Sequence, residues 1–415
     1  MINPESAGVS ESYAGLRQKI DNSHWNISHT FLFTAVSSSF FAWGIFLSVA
    51  ALATNWPFVP TSDFTLILLS SPLGLLLGNL VMGKATDVFG RRNVYVITVI
   101  LGLIGIIGVD LSTSVIPLFI SIFIAELGFG GDETVSLSYL SETVPIKKRN
   151  SSLILSSNFA NVGVAVAAAI FILTSGLSSS ILDQKILISV AAGAAMLISL
   201  LARLNIPESE RWRYIRRNRE KNVTTTSGSP AVRYVVLLFM AMAVILGFAL
   251  TSFTIGPYEF PAYTSYFPLV TGVAESVSAI FAVVIANRLS RGRFGFVGYL
   301  GGLATILLLL PAVEFFPASL TLLFVIIGIN SFFGEVAWAT REVMQPELFT
   351  TGSRGMGIGS VRALAYLAYV ISVLAVPILP VTGYIYYIAF FWAIGLAGAV
   401  IWLLKGSDTS RTSIV

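Results

Sequence analysis

The 415-residue sequence predicts an all-α membrane protein, with twelve transmembrane helices in two pseudo-symmetric six-helix halves around a central cavity. Three observations carry that expectation: charge is scarce, apolar residues fall in blocks long enough to span a bilayer, and two polar motifs recur about 200 residues apart. Hydrophobic residues make up 55% of the chain and charged residues 11%, against roughly 45–50% and 25% in an average soluble domain. Such a balance excludes an ordinary soluble enzyme.

Apolar blocks such as 31–53, 116–140, 235–253 and 384–404 reach the ~18 residues that read as a spanning helix. Twelve such blocks centre near residues 42, 74, 102, 128, 164, 194, 243, 277, 303, 329, 368 and 394. The polar start through Asn22 lacks a cleavage pattern, so the first span is read as a retained helix. With the amino terminus inside, every Arg and 24 of the 25 basic residues lie on the cytoplasmic side or at inner helix ends, and only Lys185 lies outside. Basic residues stay inside, so both termini are expected in the cytoplasm of a multi-pass cell-membrane protein. The expected division is a cytoplasmic segment 1–30, a first half 31–204, a cytoplasmic linker 205–230, a second half 231–404 and a cytoplasmic tail 405–415.

The net charge of +4 calls for no nucleic acid, because the basic residues are topology signals and contacts for anionic headgroups of the bilayer. The sequons at Asn26 and Asn222 fall inside, so glycosylation is not expected. Cysteine is absent, and His24 and His29 read as surface residues, which leaves no metal or cofactor site.

The linker 205–230 opens as a basic stretch able to form a helix on the inner membrane face and ends as a Thr/Ser/Gly tether. The halves on either side echo each other. Gly83 to Arg92, "GKATDVFGRR", joins spans two and three, and "NRLSRGR" from Asn287 joins spans eight and nine, with Asp87 and Asn287 200 residues apart. After span four, "ETVPIKKR" begins at Glu142 and ends at Arg149; after span ten, "ELFTTGSR" begins at Glu347 and ends at Arg354, 205 residues later. Duplicated six-helix halves are the architecture of carriers that bind solute at the midplane and rock about it.

The stretch "GNLVMGKATDVFGRR" (78–92) resembles the signature loop of the major facilitator superfamily. "SETVPIKKR", "PESERW" (207–212) and "PELFTTGSRGMGIG" (346–359) resemble loops of its branch of sugar porters, organic-ion transporters and metabolite:proton symporters. The resemblance implies a cytoplasmic gate, built here from Asp87, Arg91, Arg92, Glu142, Arg149, Glu208, Arg211, Arg288, Glu347 and Arg354. Asp87 and Glu142 are expected to pair with Arg91, Arg149 and their neighbours when the protein faces outward. Asn287 in place of an acid predicts a weaker lock in the second half.

The sequence departs from sugar porters in several places. Residues 240–267 contain no Gln or Asn, the first span has no acid, the fourth has Ile122 where an Arg is usual, and a "PETKG"-like tail is absent. The missing acid and Arg are the proton pair of that family, and losing both together leaves neither unpaired. Metabolite:proton symporters carry Gly-x-Gly-Gly followed by an acid in span four, matched by Gly128 to Asp132, and often an Arg in span eleven, matched by Arg362.

A charge at the bilayer centre costs at least ~2.5–3.5 kcal/mol, so charges inside spans are functional candidates. Along span four, Glu126 lies ~16 Å from the outer end and Asp132 and Glu133 ~26 Å; Arg362 lies ~12 Å into span eleven. Glu126 and Glu133 share a face, with Asp132 about 100° away from Glu133. A carboxylate in low dielectric favours its neutral form, which suits a proton carrier. The expected coupling network is therefore Glu126, Asp132, Glu133, Glu335 and Arg362, with Asp132 or Glu133 alternating between Arg362 and a proton. The candidate substrate cavity is lined by Asn158, Asn161, Tyr258, Tyr263, Glu275 and Trp338, the last standing where sugar porters stack a ring on the sugar.

These readings predict a monomeric secondary transporter, not an enzyme, that moves a sugar or an organic acid or metabolite by proton symport through alternating access. A facilitative sugar uniporter, an organic-cation carrier and a transporter-derived nutrient sensor are the alternatives. "GFGG" inside a span is a helix-packing feature, not a phosphate cradle.

Overall fold

The computed structural model describes residues 12–176, 180–218, 229–317, 319–410 and 414. A short α1 (Tyr13–Asp21) precedes α2 (Ile27–Leu52), α3 (Phe64–Phe89), α4 (Arg91–Leu111), α5 (Val115–Thr143), α6 (Ile146–Gly176) and α7 (Ile181–Leu204). A second short helix, α8 (Glu210–Asn218), occupies the basic part of the linker. The tether 219–228, with the Asn222 sequon, lies outside the described residues. The second half comprises α9 (Pro230–Ala249) continued by α10 (Ile255–Glu259), α11 (Tyr266–Arg288), α12 (Arg291–Leu307) continued by α13 (Leu309–Phe315), α14 (Leu320–Leu348), α15 (Arg354–Ala375) and α16 (Val381–Lys405). Among the described residues these form 12 helices long and apolar enough to cross a membrane, and each centre expected from the sequence falls within one.

A helix satisfies its own backbone groups, so it suits a chain surrounded by lipid. The bundle is apolar outside and charged inside. Ile97, Ile100, Ile104 and Ile107 are exposed on α4, as are Val273, Val277, Ile280 and Val284 on α11. Their three- and four-residue spacing makes one lipid-facing stripe on each helix. Arg91, Glu126, Glu142, Arg341, Glu342, Arg354 and Arg362 are fully buried.

Local signals fix the helix ends. Asn26 caps α2: its side chain accepts the His29 N–H at 3.0 Å, and His29 Nδ1 accepts the Asn26 N–H at 3.1 Å. His29 is therefore a buried capping residue rather than a surface one, because its ring takes the place of the usual Glu or Gln in a capping box. Gly90 turns the chain between α3 and α4 at φ 96°, a conformation that favours glycine.

The halves meet along α3 against α15 and α6 against α11. At the inner end of the first contact a Cβ on Gly355 would lie 2.5 Å from the Gly83 carbonyl oxygen, and one on Gly83 would lie 2.7 Å from that of Gly355. The glycines of "GFGG" serve the same purpose within a half: Gly128 lies against Thr98 and Gly102 of α4, and Gly130 and Gly131 against Leu75 and Met82 of α3. Each glycine costs helix propensity, about 1 kcal/mol relative to Ala, and permits the close approach on which membrane helices depend. The residues after α9 form a π turn at Leu250–Thr254, a device frequent at functional sites.

Replacing Gly355 by Val should force α3 and α15 apart. Overpacking of this kind costs about 1–3 kcal/mol, expected as a lower melting temperature and easier labelling of inner-side cysteines. An unchanged melting temperature and unchanged labelling would show that the contact is looser than described.

Candidate functional site

Two buried layers of charge lie beneath a small central cavity. The lower layer ties the inner helix ends together. Arg91, at the start of α4, grips Glu142 at the end of α5 with two bonds, Nη2–Oε1 at 2.8 Å and Nε–Oε2 at 3.1 Å. Its Nη1 also reaches Asp87 at 3.2 Å. Glu142 then crosses to the other half, where Arg354 Nη1 donates to it at 2.6 Å. Asp87 crosses as well and accepts the N–H groups of Gly355 and Met356 at 3.0 and 2.8 Å. Its charge thus faces the N-terminus of α15, where a helix favours an anion.

The second half repeats the pattern with different residues from those the sequence suggested. Arg291, not Arg288, grips Glu347 with two bonds at 2.6 and 3.0 Å, while Arg288 is exposed. Glu208 accepts the Arg91 N–H at 3.0 Å, and Asp408 accepts the Arg291 N–H at 3.2 Å. Ser209 donates to Glu142 and Thr409 to Glu347, both at 2.6 Å. Asp408 and Thr409 thereby act where a "PETKG" tail was looked for. A short match to the loop after span six, 200 residues earlier, was the available signal. Arg291 reaches across the halves to Asn150 at 2.8 Å, and Asn150 donates to Asn287 at 3.2 Å.

Arg149 and Arg211 do not join Glu142. Both pair with Asp21 at the end of α1, each at 2.6 Å, and Arg211 also donates to the Ile414 carbonyl at 2.7 Å. Arg92 is exposed, and only its backbone N–H meets Glu208, at 3.1 Å. Asp21 escaped sequence reasoning because it lies in a polar segment with no fixed relation to the spans.

The upper layer joins α5, α14 and α15. Glu133 is in ion-pair contact with Arg362, and Arg362 also meets Glu342 at 2.8 Å and Gln345 at 3.2 Å. Arg341 lies 3.0 Å from Glu342 and 3.9 Å from Glu133. Two guanidiniums therefore face two carboxylates with no solvent exposure. Sequence reasoning found Glu133 and Arg362 and missed Arg341, Glu342 and Gln345. The interval from Glu335 to Glu342 equals that from Glu126 to Glu133, seven residues, and would have pointed to Glu342.

Asp132 turns away from this layer, as its 100° offset on the helix requires. It accepts hydrogen bonds from Ser39, from Thr98 at 3.4 Å and from Ser136 at 3.3 Å, all in the first half. Glu126 is buried against Gly74 of α3, with Ser71 and Trp43 facing its carboxylate.

Above the two layers lies a cavity of about 30 Å³, walled by Trp43, Ser71, Asn161, Phe248, Glu275, Trp338, Tyr366 and Tyr369 among others. It has room for about two waters. Asn161 donates to Glu335 at 2.9 Å across the halves. Asn158 accepts from Asn161 and donates to the Ser276 carbonyl, both at 3.2 Å, and does not line the cavity. Trp338 carries the Arg341 guanidinium 4.0 Å above its ring. Tyr258 bonds Thr65 at 2.8 Å between α10 and α3, and Tyr263 is 39% exposed beside Tyr266. Neither tyrosine lines the cavity.

A family model described as "Sugar (and other) transporter" matches residues 7–229, more than half of the chain. The "Probable metabolite transport protein CsbC" of Bacillus subtilis is 24% identical over 330 residues, 69% of this chain and 70% of that protein. The minor myo-inositol transporter IolF of the same species is 26% identical over 312 residues, 70% of this chain and 68% of that protein. Among solved structures, the proton:xylose symporter XylE bound to 6-bromo-6-deoxy-D-glucose aligns with a TM-score of 0.72 at 16% identity, covering 92% of this chain and 98% of that chain. At that identity the likeness shows the fold: a multi-pass major facilitator bundle.

Asp87→Asn should shift the protein toward an inward-open form. The substitution removes a negative charge from the α15 N-terminus, worth about 0.3–1 kcal/mol and up to ~2 in buried settings. Cysteines introduced at inner positions of this cysteine-free chain should label faster and those at outer positions more slowly. An unchanged pattern would remove Asp87 from the gate.

Proposed function

The chain belongs to the sugar (and other) transporter family, and from that premise we propose that it carries a small organic solute across the cell membrane by alternating access, coupled to proton symport at Glu133. The observation that carries the coupling is the buried contact between Glu133 of the first half and Arg362 of the second. Asp132, by contrast, bonds only within its own half, so its protonation does not bear directly on how the halves separate.

The mechanism follows from the charge balance of the upper layer. With Glu133 ionised, Arg362 and Arg341 are matched by Glu133 and Glu342, and the pairs bind α5 to α14 and α15. A proton on Glu133 removes the attraction across the halves while Glu342 and Gln345 still hold Arg362 within the second half. The inner layer then has less to hold it shut. Breaking a buried pair costs roughly 3–5 kcal/mol when one partner is left charged and alone; the retained bonds to Glu342 lower that cost here. Opening to the cytoplasm hydrates Glu133, which gives up its proton, and the pair reforms on return.

A hydroxylated solute fits the cavity's Asn161, Ser71, Ser157 and Trp338, and the relatives named for myo-inositol and xylose agree with a small polyol or sugar, an organic acid or another metabolite being the alternative. Asn161, Glu275, Glu335 and Trp338 are proposed as the substrate-facing set. We place both termini in the cytoplasm, take 31–204 and 231–404 as the moving halves, and expect a monomer without chemical catalysis.

The test is uptake of xylose and myo-inositol into vesicles reconstituted with purified protein, with and without an acid-outside pH gradient. Wild type should accumulate solute only with the gradient. Glu133→Gln should lose accumulation by about tenfold or more, equivalent to about 1.4 kcal/mol, yet keep solute exchange at equal pH. Gradient-driven uptake undiminished in Glu133→Gln would sink the assignment, and uptake equal with and without a gradient in wild type would mark a uniporter.

A further inference from the structure

We propose that the transported solute carries a positive charge, as a protonated amine seated between Glu275 of α11 and Glu335 of α14; this rests on the transporter reading above and names the solute class. Charge bookkeeping inside the bundle points there. Arg341 and Arg362 are already matched by Glu133 and Glu342. Glu275 and Glu335 form no ion pair with any described residue. Glu335 uses one oxygen to accept from Asn161, and its Oε1 has no partner. Glu275 lines the central cavity and a smaller neighbouring one, is 6% exposed, and has no hydrogen bond among the described residues.

Glu275 reaches the part of α14 that carries Glu335. A Cβ on Gly334, the residue before Glu335, would lie 3.5 Å from Glu275 Oε1. Two such groups held out of water without a cation are costly, several kcal/mol for each one ionised. A carboxylate in low dielectric favours its neutral form, and a neutral polyol would leave it so. An ammonium group supplies both the donors and the charge.

The walls are of the matching kind. Trp43, Trp338, Tyr366 and Tyr369 line the space beside Glu275, and aromatic faces attract cations by about 0.5–2 kcal/mol. Trp338 already holds one cation, Arg341, on a face of its ring.

Matched probes isolate the charge. Glucosamine, glucose and glucuronate share a ring and differ in charge, as do benzylamine, benzyl alcohol and benzoate without the sugar's ring hydroxyls. Thermal stabilisation and vesicle uptake should favour glucosamine over glucose by about tenfold or more in half-saturating concentration, with glucuronate weaker still. Glu275→Gln should reduce that preference to near parity while the ligand-free melting temperature stays within a few degrees of wild type. Equal or tighter binding of glucose, or no response to either amine, would overturn the proposal. Gradient-driven uptake of xylose or myo-inositol in the same vesicles would leave the transporter reading standing, whereas vesicles that move no probe of any charge would count against both.

Discussion

A guanidinium in the low dielectric of a helical bundle is costly until a carboxylate meets it, and in this chain the carboxylate often stands on the opposite half. Glu142 meets Arg354, and Glu133 meets Arg362. The same geometry that makes these charges tolerable therefore joins two bodies that the proposed alternating access must part. Breaking such a buried pair outright costs several kcal/mol, so the halves separate only when another partner or a proton takes over. The rest of the architecture serves this constraint. Glycines at Gly83 and Gly355 let α3 and α15 approach closely, which brings Asp87 onto the α15 N-terminus.

The internal repeat explains why the lower layer looks built twice. Arg91, Glu142, Glu208 and Ser209 find counterparts in Arg291, Glu347, Asp408 and Thr409, at offsets of 200 or 205 residues. The copies are unequal where they cross. Asp87 presents a full charge to two N–H groups of the other half, while Asn287 shares one bond with Asn150. The upper layer has no such twin: Glu133, Arg341, Glu342 and Arg362 form one cluster that spans both halves. In the proposed mechanism the duplicated parts hold the bundle shut and the unique part responds.

Much of this was legible before the fold was known, and the limits were physical. Span centres follow from the cost of burying polar backbone in lipid, so apolar blocks sufficed. Motif spacing located the inner lock, because a repeat preserves residue type and interval. Pairing was harder. Arg288 and Arg291 are both basic at one helix junction, and only the turn at Leu289 and Ser290 decides which guanidinium points inward. Asp21 and Asp408 lie outside the spans, where hydropathy is silent. His29 looked superficial because a capping role depends on the backbone of Asn26. Asp132 and Glu133 are adjacent in sequence and end up in different networks, since one residue on a helix is a turn of 100°.

The central claim is that protonation within the upper layer releases the inner ends of the two halves. Spin labels at Asn93→Cys and Arg293→Cys, exposed positions at the inner ends of α4 and α12, report it directly through the distance distribution between them. The expected result is a longer-distance population that grows as pH falls and is already present at neutral pH in the Glu133→Gln background. A distribution unchanged by pH and by that substitution would contradict the claim.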